Sequence, residues 1–141
     1  MKNNGIKGKI AEQEFAPNSQ HTITATVIGQ YKYAKLQLSP YYCSQNINKL
    51  TPKFKFNKSV MYFFVIIIQK FIAKYDGQQG GYKLDELENH IAQIPTLKNG
   101  ELAFKFMEIF IKAVLKEVIK NVVLWSEKNI QAHKDIIESK A

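Results

Sequence analysis

The last third of the chain constrains the fold most, because residues 101–138 contain neither glycine nor proline. Since these two residue types interrupt helices, the stretch predicts one continuous helix. At a rise of about 1.5 Å per residue, such a helix is roughly 57 Å long. A compact domain of about 100 residues has a radius of gyration of only about 13 Å. The helix must therefore extend beyond its own domain and offer a surface to a partner.

A stripe of mainly apolar residues follows this predicted helix at spacings of three and four, which is typical of a coiled-coil face. The stripe comprises Met107, Ile111, Val114, Val118, Val122, Trp125, Asn129, Ala132 and Ile136. Its first six members are our candidate contacts with a partner helix. A second apolar stripe includes Leu115, Ile119 and Val123. A single-chain bundle that buries both stripes is the alternative.

The first 100 residues predict a small domain of mixed secondary structure. In residues 21–28, Ile23, Ala25 and Val27 alternate with threonines, which predicts a strand with one buried face. Residues 31–38 and 46–50 predict two further strands. Residues 58–75 predict an apolar helix capped by Asn57, and residues 83–90 a short one. The expected fold class is α+β (mixed α/β), with a strand-rich domain over residues 1–100 and one long helix over residues 101–141.

The positive charge is concentrated near the start of the chain. All 20 basic residues are lysines, and the net charge is +8. Nine lysines precede residue 61, against only Glu12 and Glu14. Such an excess attracts phosphate and suits nucleic acid. A lysine-rich composition without arginine also fits a biased genome, so charge alone leaves both explanations open.

The motifs of catalytic sites are incomplete in this sequence. The glycines of YDGQQGGYK (75–83) lack the Lys-Ser/Thr of a phosphate-binding loop, and a predicted helix rather than a strand precedes them. SPYYCS (39–44) lacks the leading Asn or Asp and the second proline of the amino-methyltransferase element. The carboxylates are not clustered as a metal-dependent nuclease requires, and no histidine has metal-ligand spacing to Cys43. We therefore expect no enzyme activity, cofactor or metal site in this chain.

Side chains suited to nucleic acid are better represented. Aromatic residues and lysines alternate in YKYAK (31–35), and QNINKLTPKFK (45–55) adds amides and three lysines. Amides can pair with adenine, lysines can reach guanine or phosphate, and glycines let a backbone approach a duplex closely. The candidate DNA-binding residues are Lys32, Lys35, Gln45, Asn46, Asn48, Lys53, Lys55, Gln78, Gln79 and Lys83.

The remaining composition points to a reducing compartment. Cys43 is the only cysteine, so no disulfide can form within one chain. The most apolar run, residues 61–68, is far shorter than the roughly 20 residues that a membrane-spanning helix needs. We expect a cytoplasmic protein without a membrane segment.

Several stretches occur in the order and spacing of a known family. They are NNGIKGKI (3–10), HTITATVIGQYKYAK (21–35), YYCSQNINKLTPK (41–53), the apolar helix from Val60, KFIAKYDGQQGGYKLDELENHIAQIPTL (70–97) and ELAFKFMEIFIKAVLKEVIK (101–120). Together they resemble the target recognition domain of the DNA specificity (S) subunit of Type I restriction–modification systems. The C-terminal specificity region of single-chain Type II restriction–modification enzymes is similar. The order of the stretches, rather than any single motif, carries the resemblance.

The resemblance implies a bacterial protein that reads one half of a split target in double-stranded DNA. The chemistry would belong to a DNA methyltransferase (M) subunit and to a restriction (R) subunit that can join it. The spacer helix from Glu101 would pair with another spacer helix, and a homodimer through this helix would supply the second half of a full S subunit. Family domains normally carry more sequence before the NNGI-like stretch, so we expect a recognition domain truncated at its N-terminus.

Two alternatives remain open. The chain could be a degenerate or truncated fragment that acts only as a helix-mediated assembly protein, which predicts association without DNA binding. It could instead be the C-terminal part of a fused restriction–modification enzyme whose catalytic domains lie upstream. A longer reading frame with nuclease and methyltransferase motifs would favour that second alternative.

Overall fold

The computed structural model describes residues 8–29, 32–75 and 80–138. Its elements are β1 (Thr22–Thr26), β2 (Ala34–Gln37), β3 (Ile47–Leu50), α1 (Lys58–Ile72), α2 (Leu84–Glu88) and α3 (Phe104–Glu138). The strands form one antiparallel sheet in the order β2-β1-β3. The predicted α+β class with one long C-terminal helix is therefore confirmed.

Strand β1 is buried on both of its sides. Ile23 and Ala25 point into the hydrophobic core together with Leu36 of β2. The alternating threonines of β1 are also buried, so the prediction of a single buried face was wrong. The reason is that β1 is the central strand, and its threonine hydroxyls are hydrogen-bonded to Tyr41, Gln37 and Tyr33.

Helix α1 packs on the core face of the sheet. Its predicted cap is confirmed, because Asn57 Oδ1 accepts hydrogen bonds from the backbone nitrogens of Ser59 and Val60 at 3.0 and 3.2 Å. The helix ends at Ile72, three residues earlier than predicted. Its most buried residues are Val60, Met61, Phe71 and Ile72.

The outer edge of β2 is closed by a side chain of α1. Gln69 Nε2 donates to the carbonyl oxygen of Lys32 at 3.2 Å, and Gln69 Oε1 accepts from the backbone nitrogen of Ala34 at 2.8 Å. These two bonds replace those of a further strand. Since an open sheet edge invites pairing with other chains, Gln69 both fixes α1 on the sheet and protects this edge.

Gly81 lies close to the backbone of Val27. Gly81 has a φ of +69°, and a Cβ built at this position would lie 2.0 Å from the carbonyl oxygen of Val27. The next residue, Tyr82, is buried and donates from its Oη to the carbonyl oxygen of Ala25 at 3.3 Å. Asn48 Nδ2 donates to the same Oη at 3.4 Å. Burial raises the pKa of Tyr82, and the hydrogen bond from Asn48 opposes this shift.

Helix α3 has one anchored end and one exposed length. Met107 and Ile111 are 0% and 2% exposed, whereas every residue from Lys112 to Ile137 is exposed. This exposed part covers roughly 39 Å at about 1.5 Å per residue. The predicted overhang is therefore present. No helix within the described ranges is long and apolar enough to cross a membrane.

A polar cluster joins the anchored end of α3 to α1. Glu108 lies beside Lys105 and Lys112, and it is also hydrogen-bonded to the side chain of Asn57. The hydrogen bond from Lys112, followed by the charge of Lys105, lowers the pKa of Glu108. The residue that caps α1 thus also lies beside the start of α3.

We expect Gly81→Ala to destabilise the fold more than Gly100→Ala. Both glycines have positive φ, but an added Cβ at Gly100 has open space around it, so only the backbone penalty of about 1–2 kcal/mol applies there. Gly81→Ala adds a backbone clash of the kind that costs about 1–3 kcal/mol more. Urea denaturation followed by circular dichroism measures both changes, and equal losses would contradict the close packing of Gly81 on Val27.

We expect Tyr82→Phe to reduce the free energy of unfolding by about 1–3 kcal/mol, because the carbonyl of Ala25 and the amide of Asn48 lose a partner. Tyr62→Phe is the matched control, since Tyr62 packs against the same core and has no hydrogen bond through its hydroxyl in the described part of the chain. The control should change stability by less than about 0.5 kcal/mol. A similar effect of both variants would show that the Tyr82 hydroxyl is not a structural link.

Candidate nucleic-acid interface

The side of the sheet opposite α1 carries a row of polar residues. The strand register places Lys35 of β2 and Lys49 of β3 on either side of Thr24. Because side chains alternate along a strand, the same side carries the residues that we call the polar face: Thr22, Thr24, Thr26, Lys35, Gln37, Ile47 and Lys49. Two lysines thus flank the central strand on the face that α1 leaves open.

The width of the polar face matches the scale of a DNA groove. Neighbouring strands lie about 4.8 Å apart, so the Cα atoms of Lys35 and Lys49 are separated by about 10 Å across the sheet. The major groove of B-DNA is about 12 Å wide. Two flexible lysine side chains at this spacing can reach phosphates on both sides of a groove.

The threonine hydroxyls of the polar face are bonded within the chain. Thr22 Oγ1 lies 2.9 Å from Tyr41 Oη. Thr24 Oγ1 accepts from Gln37 Nε2 at 2.8 Å. Thr26 Oγ1 accepts from the backbone nitrogen of Tyr33 at 2.8 Å. The threonines therefore position their neighbours, and the outer layer that a ligand can reach consists of longer side chains.

Further lysines follow directly after β3. From Asn48 to Phe56, even-numbered residues are partly buried and odd-numbered residues are exposed. Phe54 packs against Phe64 and Phe104, and Phe56 stacks on His21 with ring centroids 3.8 Å apart. Because the two phenylalanines are held inward, the alternating lysines at positions 53 and 55 face solvent.

The charges of the described lysines before residue 61 are not neutralised by neighbouring carboxylates. The ion pairs of the described residues lie along α3 and involve Glu108 and Glu117. In the described ranges before residue 61, no lysine lies within ion-pair distance of a carboxylate. Lys49 has only a neutral partner, since its Nζ donates to Asn18 Oδ1 at 3.2 Å. The positive field is therefore available to an external anion.

The structure separates the predicted DNA-binding residues into groups. Lys35 lies on the polar face, Lys53 and Lys55 are exposed beyond β3, and Gln45 and Asn46 are exposed in the turn before β3. Lys83 is exposed at the start of α2, and no contact brings it to the polar face. Gln78 and Gln79 lie outside the described residues.

Two of the predicted residues have their polar groups engaged or buried within the chain. Asn48 lies opposite Ala25 on the core face, where its amide donates to the buried Tyr82. Lys32 has its Nζ buried without a hydrogen-bond partner in the described structure. Pairing with β1 and packing of α1 therefore leave neither side chain on the polar face, and a DNA contact by either residue stays a prediction.

Sequence reasoning missed Gln37 and Lys49, although both lie on the polar face. Each belongs to a strand that the sequence predicts, so their alternation could have been read from the chain. What the sequence did not show was which side of each strand faces α1.

The predicted apolar stripe of α3 divides into a buried part and an exposed part. Met107 and Ile111 are buried within the chain itself, and the partner interface stays a prediction. Val114, Val118, Val122 and Trp125 continue the same stripe and are exposed, the last to 68%. The stripe first holds α3 on the domain and then leaves an apolar surface uncovered.

No group of three or more His, Cys, Asp or Glu side chains in the described ranges is placed to hold a metal ion. Cys43 is a free, exposed thiol. Its Sγ accepts a long hydrogen bond from Asn18 Nδ2 at 3.6 Å.

Comparison with known proteins gives one result that covers most of the chain. The family model described as the Type I restriction modification DNA specificity domain matches residues 1–124. No curated protein and no solved structure matches the chain. The matched region contains the whole sheet, α1, α2 and the anchored end of α3. The family is a specificity domain rather than a catalytic one, and the chain belongs to this family of Type I restriction modification DNA specificity domains.

Proposed function

We propose that this chain is a sequence-specific DNA-binding module that directs a partner methyltransferase, and the endonuclease associated with it, to a target site. The observation that carries the proposal is the polar face, where Lys35 and Lys49 flank the central strand and have no acidic partner. Membership of a DNA specificity family supports the choice of double-stranded DNA as the anion. The bacterial cytoplasm is the proposed place of action.

In this proposal, lysines contact the phosphates while amide side chains form hydrogen bonds with base edges. Phosphate contacts fix the position of a protein on the duplex and carry no direct sequence information. Each neutralised phosphate releases counterions, which lowers log K by about 0.9 per unit of log salt concentration on B-DNA. The number of lysines in contact is therefore measurable from the salt dependence of binding.

We expect the double variant Lys35→Gln/Lys49→Gln to weaken binding to all duplexes and to reduce the salt slope by roughly 2, because two phosphate contacts are lost. Fluorescence anisotropy with labelled random-sequence duplexes over a series of salt concentrations measures both quantities. Lys128→Gln/Lys134→Gln is the matched control, since it removes the same charge from exposed positions far along α3.

The control variant should retain a slope close to that of the unmodified chain. An equal reduction in both variants would mean that net charge, rather than the polar face, governs binding. Absence of binding by the unmodified chain to every duplex at low salt would refute the DNA-binding role of this chain.

A second role, in assembly, is favoured by the exposed length of α3. The stripe from Val114 to Trp125 continues beyond the last buried contact at Ile111. An apolar surface of this length is stabilised when another helix covers it. We propose the spacer helix of a second copy, or a methyltransferase subunit, as the partner. Catalysis would belong to the methyltransferase subunit or to domains encoded upstream. A chain that retains only this role is the alternative proposal.

We expect Val114→Asp/Val118→Asp to abolish this association, because two charges would be buried in an apolar contact. Ala113→Asp/Leu124→Asp is the matched control, because it adds the same charge at exposed positions more than about 100° around the helix axis from the centre of the stripe. Light scattering of the chain alone, and of the chain mixed with a methyltransferase subunit, reports the mass of the complexes.

Loss of association in the stripe variant alone would support the proposed interface. Association by both variants, or by neither, would reject the stripe as the contact surface. Association that persists in a chain without measurable DNA affinity would favour the assembly-only alternative.

A further inference from the structure

Gln37 is the one amide side chain among the residues of the polar face, and a hydrogen bond orients it. It is partly buried on β2, and its Nε2 donates to Thr24 Oγ1 at 2.8 Å. The hydroxyl of Thr24 in turn donates to the carbonyl oxygen of Lys35 at 3.3 Å. A hydroxyl has one proton to donate, and since Thr24 gives it to Lys35, the hydroxyl must act as an acceptor towards Gln37.

This chain of bonds fixes which end of the Gln37 amide points to Thr24. The nitrogen end must face the hydroxyl, because the carbonyl end would meet an oxygen whose proton is already engaged. Gln37 therefore keeps one N–H and its Oε1 for other partners. No other hydrogen bond of the Gln37 side chain occurs in the described part of the chain.

The groups that remain on Gln37 match one base edge. In the major groove adenine presents a donor at N6 beside an acceptor at N7, and a glutamine amide can satisfy both at once. Oε1 would accept from N6, and the free N–H would donate to N7. Because Thr24 already orients the amide, less conformational entropy is lost when the pair forms.

The neighbours of Gln37 place it where such a contact can occur. Lys35 lies two residues earlier on the same strand and the same face, about 6.6 Å away along the strand. Lys49 lies across the sheet on the same face. Phosphate contacts from these two lysines would bring the polar face against a groove with Gln37 directed at the bases.

Gln45 offers the closest comparison in this chain. It is also a glutamine near the start of β3, but it is exposed in a turn, and no hydrogen bond holds its side chain in the described structure. An unrestrained amide must give up its rotational freedom on binding. The geometry thus separates a preorganised glutamine from an unrestrained one.

We infer that Gln37 reads an adenine in the major groove, with Thr24 as the positioning residue and Lys35 and Lys49 as the phosphate anchors. The inference rests on the proposed DNA-binding function. It adds the base that is recognised and the side chain that recognises it.

The test is selection of duplexes from a random-sequence pool by the full chain and its variants, followed by sequencing. The unmodified chain should select a motif with a preferred adenine. Gln37→Ala should lose the preference at that position by about 5- to 150-fold, while the salt slope of binding stays unchanged. Gln93→Ala is the matched control and should retain the adenine, because Gln93 is exposed, has no side-chain hydrogen bond in the described structure and is not a candidate DNA-binding residue. Circular dichroism of each variant establishes that it is folded.

A second pair of variants tests the role of Thr24. Thr24→Val removes the hydroxyl at nearly constant volume and should weaken the adenine preference, because the Gln37 amide loses its orientation. Thr24→Ser keeps the hydroxyl and should restore the preference. A purely structural role of Thr24 would change stability and total affinity but not the selected base.

Each outcome decides the inference. If Gln37→Ala selects the same adenine as the unmodified chain, or if the unmodified chain binds DNA without base preference, the inference is overturned while the proposed DNA binding stands. If the unmodified chain binds no duplex at low salt, the proposed function fails and the inference fails with it.

Discussion

The packing of α1 on one side of β1 is the interaction on which the rest of the structure depends. Met61 and Phe71 of α1 share a core with Ile23 and Ala25 of β1. Gln69 adds two hydrogen bonds to the outer edge of β2. Because α1 covers this side, the polar face is the opposite side of the described three-stranded sheet.

The polar face owes its organisation to the central strand. Its threonines are buried and bonded within the chain, so they cost little to desolvate and hold the longer side chains around them. Uncompensated lysines stand on the outer strands, where the phosphate backbone of a duplex could neutralise them. In the proposed interface, the threonines would position their neighbours, and lysine and glutamine would contact the DNA.

The apolar stripe of helix α3 has a buried part and an exposed part. Near its start, Met107 and Ile111 complete the core, and beyond Ile111 the same stripe has no cover in the described structure. The stripe and the overhang of this helix followed from the sequence alone, because the spacing of apolar residues and the length of the helix are local properties. The division between buried and exposed members did not, because it depends on how far α1 and the sheet extend along the helix.

The sequence by itself determined the secondary structure, the early concentration of lysines and the cap at Asn57, since each depends on residues close in the chain. It also indicated the family through the order of its motifs. Only the tertiary structure decided which side of each strand is covered. It turned Asn48 towards Tyr82, left Lys49 outside and brought Gln37 to Thr24, because strand register and the position of α1 are set by contacts between residues distant in sequence. A shift of one residue in pairing exchanges the two faces of a strand, and local sequence patterns do not fix that choice.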